Sequence, residues 1–85
     1  MSDQFYWMSF ADPDRPEGTQ FLGCLILQAT DPMDLITKSH RMGLNPGGEV
    51  QFLEIPPEGI PAEKWHNRLL SRDDVAAIDT EQAPQ

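Results

Sequence analysis

Gln4-Phe5-Tyr6-Trp7-Met8-Ser9-Phe10 is the stretch whose reading decides the fold. Aromatic residues dominate it, as strands favour. In an extended chain successive side chains point to opposite faces. Phe5 and Trp7 therefore share one face, and Tyr6, Met8 and Phe10 the other. A strand that is apolar on both faces belongs in the middle of a sheet, covered on both sides.

Two further strand signals flank it. Gln20–Ala29 is rich in aliphatics: Phe21, Leu25 and Leu27 are read on one face, and Leu22, Cys24 and Ile26 on the other. Gly23 marks a bulge or a spot where another group crowds the backbone. Glu49–Ile55 is the third strand, with Val50 and Phe52 on one face and Leu53 and Ile55 on the other. Pro56-Pro57 ends it, because proline cannot continue a ladder. Between the first two strands, Ala11–Thr19 is a polar loop with Asp-Pro and Gly18 as turn signals.

The clearest helix lies over Thr30–Gly43. Asp31 suits the N-cap and Pro32 the first helical position. Asp34 sits in the first turn and Lys38, His40 and Arg41 in the last turns, matching the helix dipole. Gly43 is the expected left-handed C′ residue. Leu35, Ile36 and Ser39 form a narrow stripe fit to lie on a sheet. After the third strand, a short helix is expected at Ala62–Arg68 and another from Ser71 to Ile78.

The order is thus β-β-α-β, an α+β fold. It predicts a three-stranded antiparallel sheet in order 2-1-3, one helix on one face and a short helical C-terminus. Residues 1–78 form the single domain and 79–85 a flexible polar tail. The C-terminal segment is read as too small to hide the second face, which implies a homo-oligomer.

Composition limits the function. The chain has 85 residues, 39% of them hydrophobic, enough for one modest core. A net charge of −8 counts against duplex nucleic acid and anionic membranes as partners. The single cysteine, Cys24, permits no internal disulfide, which fits a cytoplasmic setting. No signal-peptide core and no membrane-length apolar run is present.

No motif frames an enzyme. Asp12, Asp14 and Glu17 crowd one loop without the spacing of a calcium site. Cys24, His40 and His66 lack metal-ligand spacing, and no cofactor is implied. Cys24 lies in an apolar strand, where a thiol stays protonated and inert. His66 and Ser71 have no nucleophile motif around them.

The remaining chemistry is binding. Asn45-Pro46-Gly47-Gly48 joins the helix to the third strand. Two glycines allow positive φ, and such a turn presents backbone N–H groups to an anion. It is not a P-loop, because the downstream Lys-Ser/Thr is missing. The equal alternative is a plain connection. Among the six basic residues, Arg15, Arg68 and Arg72 are the candidates to neutralise phosphate. Trp65 precedes Arg68 by one helical turn, and Trp65 or Trp7 would stack on a base. Surface salt bridges with Glu63, Asp73 and Asp74 are the competing reading of these arginines.

Phe5-Tyr6-Trp7-Met8-Ser9-Phe10-x-Asp12, Phe21-Leu22-Gly23, Gly43-x-Asn45-Pro46-Gly47-Gly48-Glu49-Val50 and Asn67-Arg68-Leu69-Leu70-Ser71 resemble a group of small bacteriophage and prophage proteins. The similarity reaches to about Asp74. It carries no catalytic residue. It implies an anti-defence role in the host cytoplasm: sequestering a nucleotide immune signal, as the Thoeris and CBASS sponges do, or binding a host protein. The expectation is a non-enzymatic protein that holds a small anionic, nucleotide-like ligand. Its alternative is a protein-binding inhibitor or accessory protein that uses an exposed sheet face.

Overall fold

The computed structural model describes residues 3–82. Strands β1 (Gln4–Ala11), β2 (Phe21–Ala29) and β3 (Glu49–Ile55) form one antiparallel sheet in the order β2-β1-β3. Helix α1 (Pro32–Arg41) follows β2, and helix α2 (Arg72–Gln82) ends the described chain. Single 3-10 turns lie at Pro57–Gly59 and Glu63–Trp65. The aromatic strand is central, as its two apolar faces require.

On one face, Tyr6, Met8 and Phe10 of β1 meet Leu25, Leu27 and Ala29 of β2 and Leu35 of α1. Helix α1 is fixed at both ends. Asp31 Oδ1 accepts from the Asp34 amide at 2.8 Å, and Asp34 Oδ2 accepts from the Thr30 amide at 3.0 Å. This reciprocal pair satisfies amides that the first turn leaves free. The Thr30 N–H, assisted by Lys38, holds the Asp34 carboxyl below the usual carboxylate range. At the other end Gly43 takes φ +70°, and the amides of Gly43 and Leu44 reach back to the carbonyls of His40 and Ser39 at 3.0 Å each. That is the Schellman pattern of helix termination.

Gly23 is both things expected of it. The β1–β2 register slips between Phe10 and Ala11, so Phe10 faces Gly23 while Ala11 faces Phe21. The slip corrects the assigned faces: Phe21 joins the Cys24 side and Leu22 the Leu25 side. A Cβ on Gly23 would also lie 2.6 Å from Leu69 Cδ1.

The second face differs from expectation. It is not left bare over β2: Trp65, Leu70 and Ile78 pack on Cys24, Ile26 and Ile55. Trp65 comes from the single 3-10 turn Glu63–Trp65, which is all that forms of the helix expected over Ala62–Arg68, and Leu70 comes from irregular chain, so helical periodicity does not reveal them. Nor is 79–85 a tail throughout. Residues 79–82 belong to α2, and 83–85 lie outside the described residues. Glu81 accepts from Trp65 Nε1 at 2.9 Å and pairs with Lys64 at 3.0 Å, while Gln82 donates to the Gly59 carbonyl at 3.1 Å. These bonds tie down the last turn. At its start, Ser71 and Asp74 exchange capping bonds, Asp74 N to Ser71 Oγ at 3.2 Å and Ser71 N to Asp74 Oδ2 at 3.0 Å.

Asn67 makes the route to α2 possible. Its φ of +60° is left-handed, a region asparagine tolerates better than most residues. The chain then runs beside the outer edge of β2. Leu70 and Cys24 exchange backbone bonds of 2.7 and 3.0 Å, and the Asn67 amide donates to Ile26 O at 3.2 Å. Leu70 is fully buried. The opposite edge has no such cover. Among the described residues, Glu49–Ile55 make no backbone bonds outside the ladder with β1, and only Ile55 of β3 is buried.

Candidate functional site

The glycine turn is knit into the fold. Asn45 Nδ2 donates to the buried Ser39 Oγ at 3.0 Å, and Asn45 Oδ1 accepts from the Gly47 amide at 2.8 Å. Ser39 Oγ in turn donates to the Ile36 carbonyl at 2.7 Å. The carboxamide thus brackets the end of α1 to the start of β3. Gly47 and Gly48 both have positive φ, +85° and +75°. A Cβ on Gly48 would collide with the Ala11 carbonyl, so this glycine serves a close approach of backbone to backbone. The bonds of Asn45 and Gly47 are those of a connection.

The three arginines fall in two places. Arg15 pairs with Asp12 at 3.5 Å in the loop between β1 and β2. Arg72 reaches the same loop: it donates to the Gly18 carbonyl at 3.5 Å, with its guanidinium 5.7 Å from the Phe21 ring centroid. Gly48, packed on Ala11 and Leu22, borders this end of the sheet. Arg68 is elsewhere, paired with Asp74 at 3.5 Å and lying 5.2 Å from the Trp65 ring centroid. Its partner Asp74 is held below the usual range chiefly by the Ser71 N–H.

The tryptophans separate too. Trp65 is buried among core residues, carries Lys64 and Arg68 over its ring, and spends its N–H on Glu81. That leaves no free face for a base. Trp7 is half-buried at mid-sheet, opposite Ile26 and Leu53. The eight candidates therefore gather into no single pocket. Arg15, Arg72 and the Gly48 turn share one end of the sheet, Arg68 and Trp65 lie by the β2 edge, and Trp7 lies at the centre.

Trp7 belongs instead to a groove that sequence reasoning did not identify. Helix α2 packs chiefly over β2, with its Ile78 in one cluster with Ile55 at the end of β3. The space beside it, about 270 Å³, is lined by Trp7, Leu53, Ile55, Pro61 and Ile78, with Asp79 and Gln82 on the α2 side. A second hollow of about 220 Å³ continues across Trp7 and Leu53 to Gln51 and Phe52. Leu53, opposite Trp7, is 61% exposed. No basic residue lines either space. Among the described residues, Asp79 has no cation within 4 Å. The signal available in sequence was the alternation of Leu53 and Ile55 on β3. What concealed the groove was not knowing where α2 would lie.

The groove offers apolar area and an acidic margin, without a framed nucleophile or base. Cys24 is buried, and burial pushes its thiol up, with a hydrogen bond to Ser9 acting the other way. No cluster of three or more metal-ligating side chains occurs among the described residues. No described helix is long and apolar enough to cross a membrane. Scans against protein-family models, curated proteins and solved structures return no significant match.

Proposed function

We propose that this chain is a non-enzymatic protein-binding module, of the inhibitor or accessory class, that takes an apolar, cation-bearing segment of a partner protein into the Trp7–Leu53 groove. The carrying observation is Leu53, exposed on a concave floor beside Trp7 and Ile55. Pockets of this kind bind through apolar area and take their orientation from a few polar groups. Asp79 at the margin and the absence of lysine or arginine from the lining select a positive partner over an anion. The resemblance to small phage proteins makes a host protein in the infected cytoplasm the natural partner.

The test is a partner captured from host lysate, purified, and titrated against the wild-type chain and Leu53→Asp. Leu53→Asp is expected to weaken binding at least about tenfold, since a carboxylate cannot be desolvated cheaply, with an unchanged thermal midpoint. Equal affinity for both proteins would sink the reading. A second reading, sequestration of a nucleotide-derived anion, draws on Arg72, which has no carboxylate partner among the described residues and lies beside the Arg15 loop. Titration with cyclic ADP-ribose isomers and cyclic dinucleotides separates the two. Binding heat abolished by Arg72→Ala favours the anion, and silence favours the protein partner.

A further inference from the structure

We propose that β3 pairs antiparallel with β3 of a second copy, about a two-fold axis through Phe52, to give one continuous six-stranded sheet. This rests on the sheet edge and is independent of the groove reading. Seven unbulged residues, Glu49–Ile55, present unused backbone donors and acceptors along about 24 Å. Exposed edges of that length are templates for another strand. No proline, no lysine and no bulge lies within the β3 edge, and its only charges are Glu49 and Glu54.

Side chains choose the occupant and the register. Centring on Phe52 sets Phe52 opposite its own copy, Val50 opposite Glu54 and Glu49 opposite Ile55. Each glutamate therefore faces an apolar residue rather than another carboxylate. The two Glu54 residues are then about 14 Å apart and the two Glu49 residues about 20 Å apart along the strands, beyond a Debye length of about 8 Å. The edge is in this sense complementary to itself. Phe52 is 43% exposed and meets Tyr6 edge-on at 6.3 Å. Pairing continues this contact into a row of four aromatic rings across the joined sheet, the kind of cross-strand pair that stabilises sheets. A shift to a Leu53 centre would set Phe52 against Glu54 and Val50 against Pro56, losing both the aromatic pair and a backbone donor. Because the β2 edge is closed by residues 67–70, one open edge per copy gives a closed dimer and not a filament. Antiparallel pairing places both α2 helices on one side of the sheet, so the two grooves lie side by side.

The experiment is sedimentation equilibrium of the full chain at about 0.5 M ionic strength, where the repulsion of two −8 charges is screened. The expected mass is twice the 9.6 kDa of one chain, and Phe52→Lys is expected to return the monomer with unchanged far-UV circular dichroism. Register is read by oxidation with diamide. Phe52→Cys thiols lie opposite one another and form an intermolecular disulfide. Leu53→Cys thiols stand about 7–8 Å apart on the diagonal, out of disulfide reach, and stay reduced. The native Cys24 is buried and does not compete. A monomer at every concentration overturns the proposal, as does a dimer that Leu53→Cys cross-links and Phe52→Cys does not.

Discussion

The two outer edges of the sheet start from the same chemistry and end differently. At β2, residues 67–70 return along the strand, exchange backbone bonds with Cys24 and Ile26, and bury Leu70 completely. At β3 no described segment returns, and Phe52 and Leu53 stay exposed. Sealing one edge uses a left-handed Asn67, a glycine at position 23 and the side chains of Trp65 and Leu70. The difference separates the part of the sheet that carries stability from the part to which the proposed binding is assigned. The sealed edge is part of the core. The open edge leaves Phe52 and Leu53 outside it.

Breaking the sealed edge is expected to give the largest effects. Leu70→Ala removes a fully buried side chain from the second core cluster and is expected to cost about 3 kcal/mol, measured by urea denaturation. Gly23→Ala comes next. Its Cβ would crowd Leu69 Cδ1 and Cγ at 2.6 and 2.9 Å, at a φ of +145° that alanine seldom adopts. Crowding of a flexible side-chain tip plus backbone strain amounts to about 2 kcal/mol. If Gly23→Ala were neutral, the segment 67–70 would be a loose flap and not a seal.

The contrast between the edges was only half legible in the sequence. The period-2 pattern of residues 4–10 placed β1 at the centre, and the capping residues bounded α1 to within two positions. Those features are local. The seal is not, because it depends on Leu70 meeting Cys24, a pairing 46 positions apart that no periodicity announces. Phe21 and Leu22 were assigned to the wrong faces because the Gly23 bulge shifts the count by one. For the candidate site, residue types suggested phosphate chemistry at Asn45 and Gly48. The structure spends Asn45 on Ser39 and Gly47, so Asn45→Ala is expected to cost about 1–2 kcal/mol of stability. It is therefore not a clean probe of ligand binding.

Substituting the open edge sharpens the comparison by doing little. Leu53→Thr puts a β-branched side chain, which strands favour, at a site 61% exposed. Stability is expected to change by less than about 0.5 kcal/mol, against the much larger loss at Leu70. A loss of several kcal/mol at Leu53 would mean that the β3 face is core after all.

The smallest expected effect is acid loosening of α2, which packs chiefly on the sealed side. Glu81 is held below the usual carboxylate range, first by Lys64 and then by the Trp65 N–H, and Asp74 chiefly by the Ser71 N–H. Both folded values lie under the unfolded ones. The unfolded chain therefore binds more protons across the interval between them, and stability falls as pH falls through it. Full stabilisation is present above the ordinary carboxylate range of about 4 and is lost progressively below it. Both groups are exposed, so the loss is modest. With Trp7→Phe leaving Trp65 as sole reporter, Trp65 emission is expected to shift red below about pH 4. Glu81→Gln removes the titrating group but keeps an acceptor for the indole N–H. It should flatten that shift while leaving the neutral-pH spectrum in place, whereas an identical acid transition in Glu81→Gln would show that α2 is held by its apolar contacts alone.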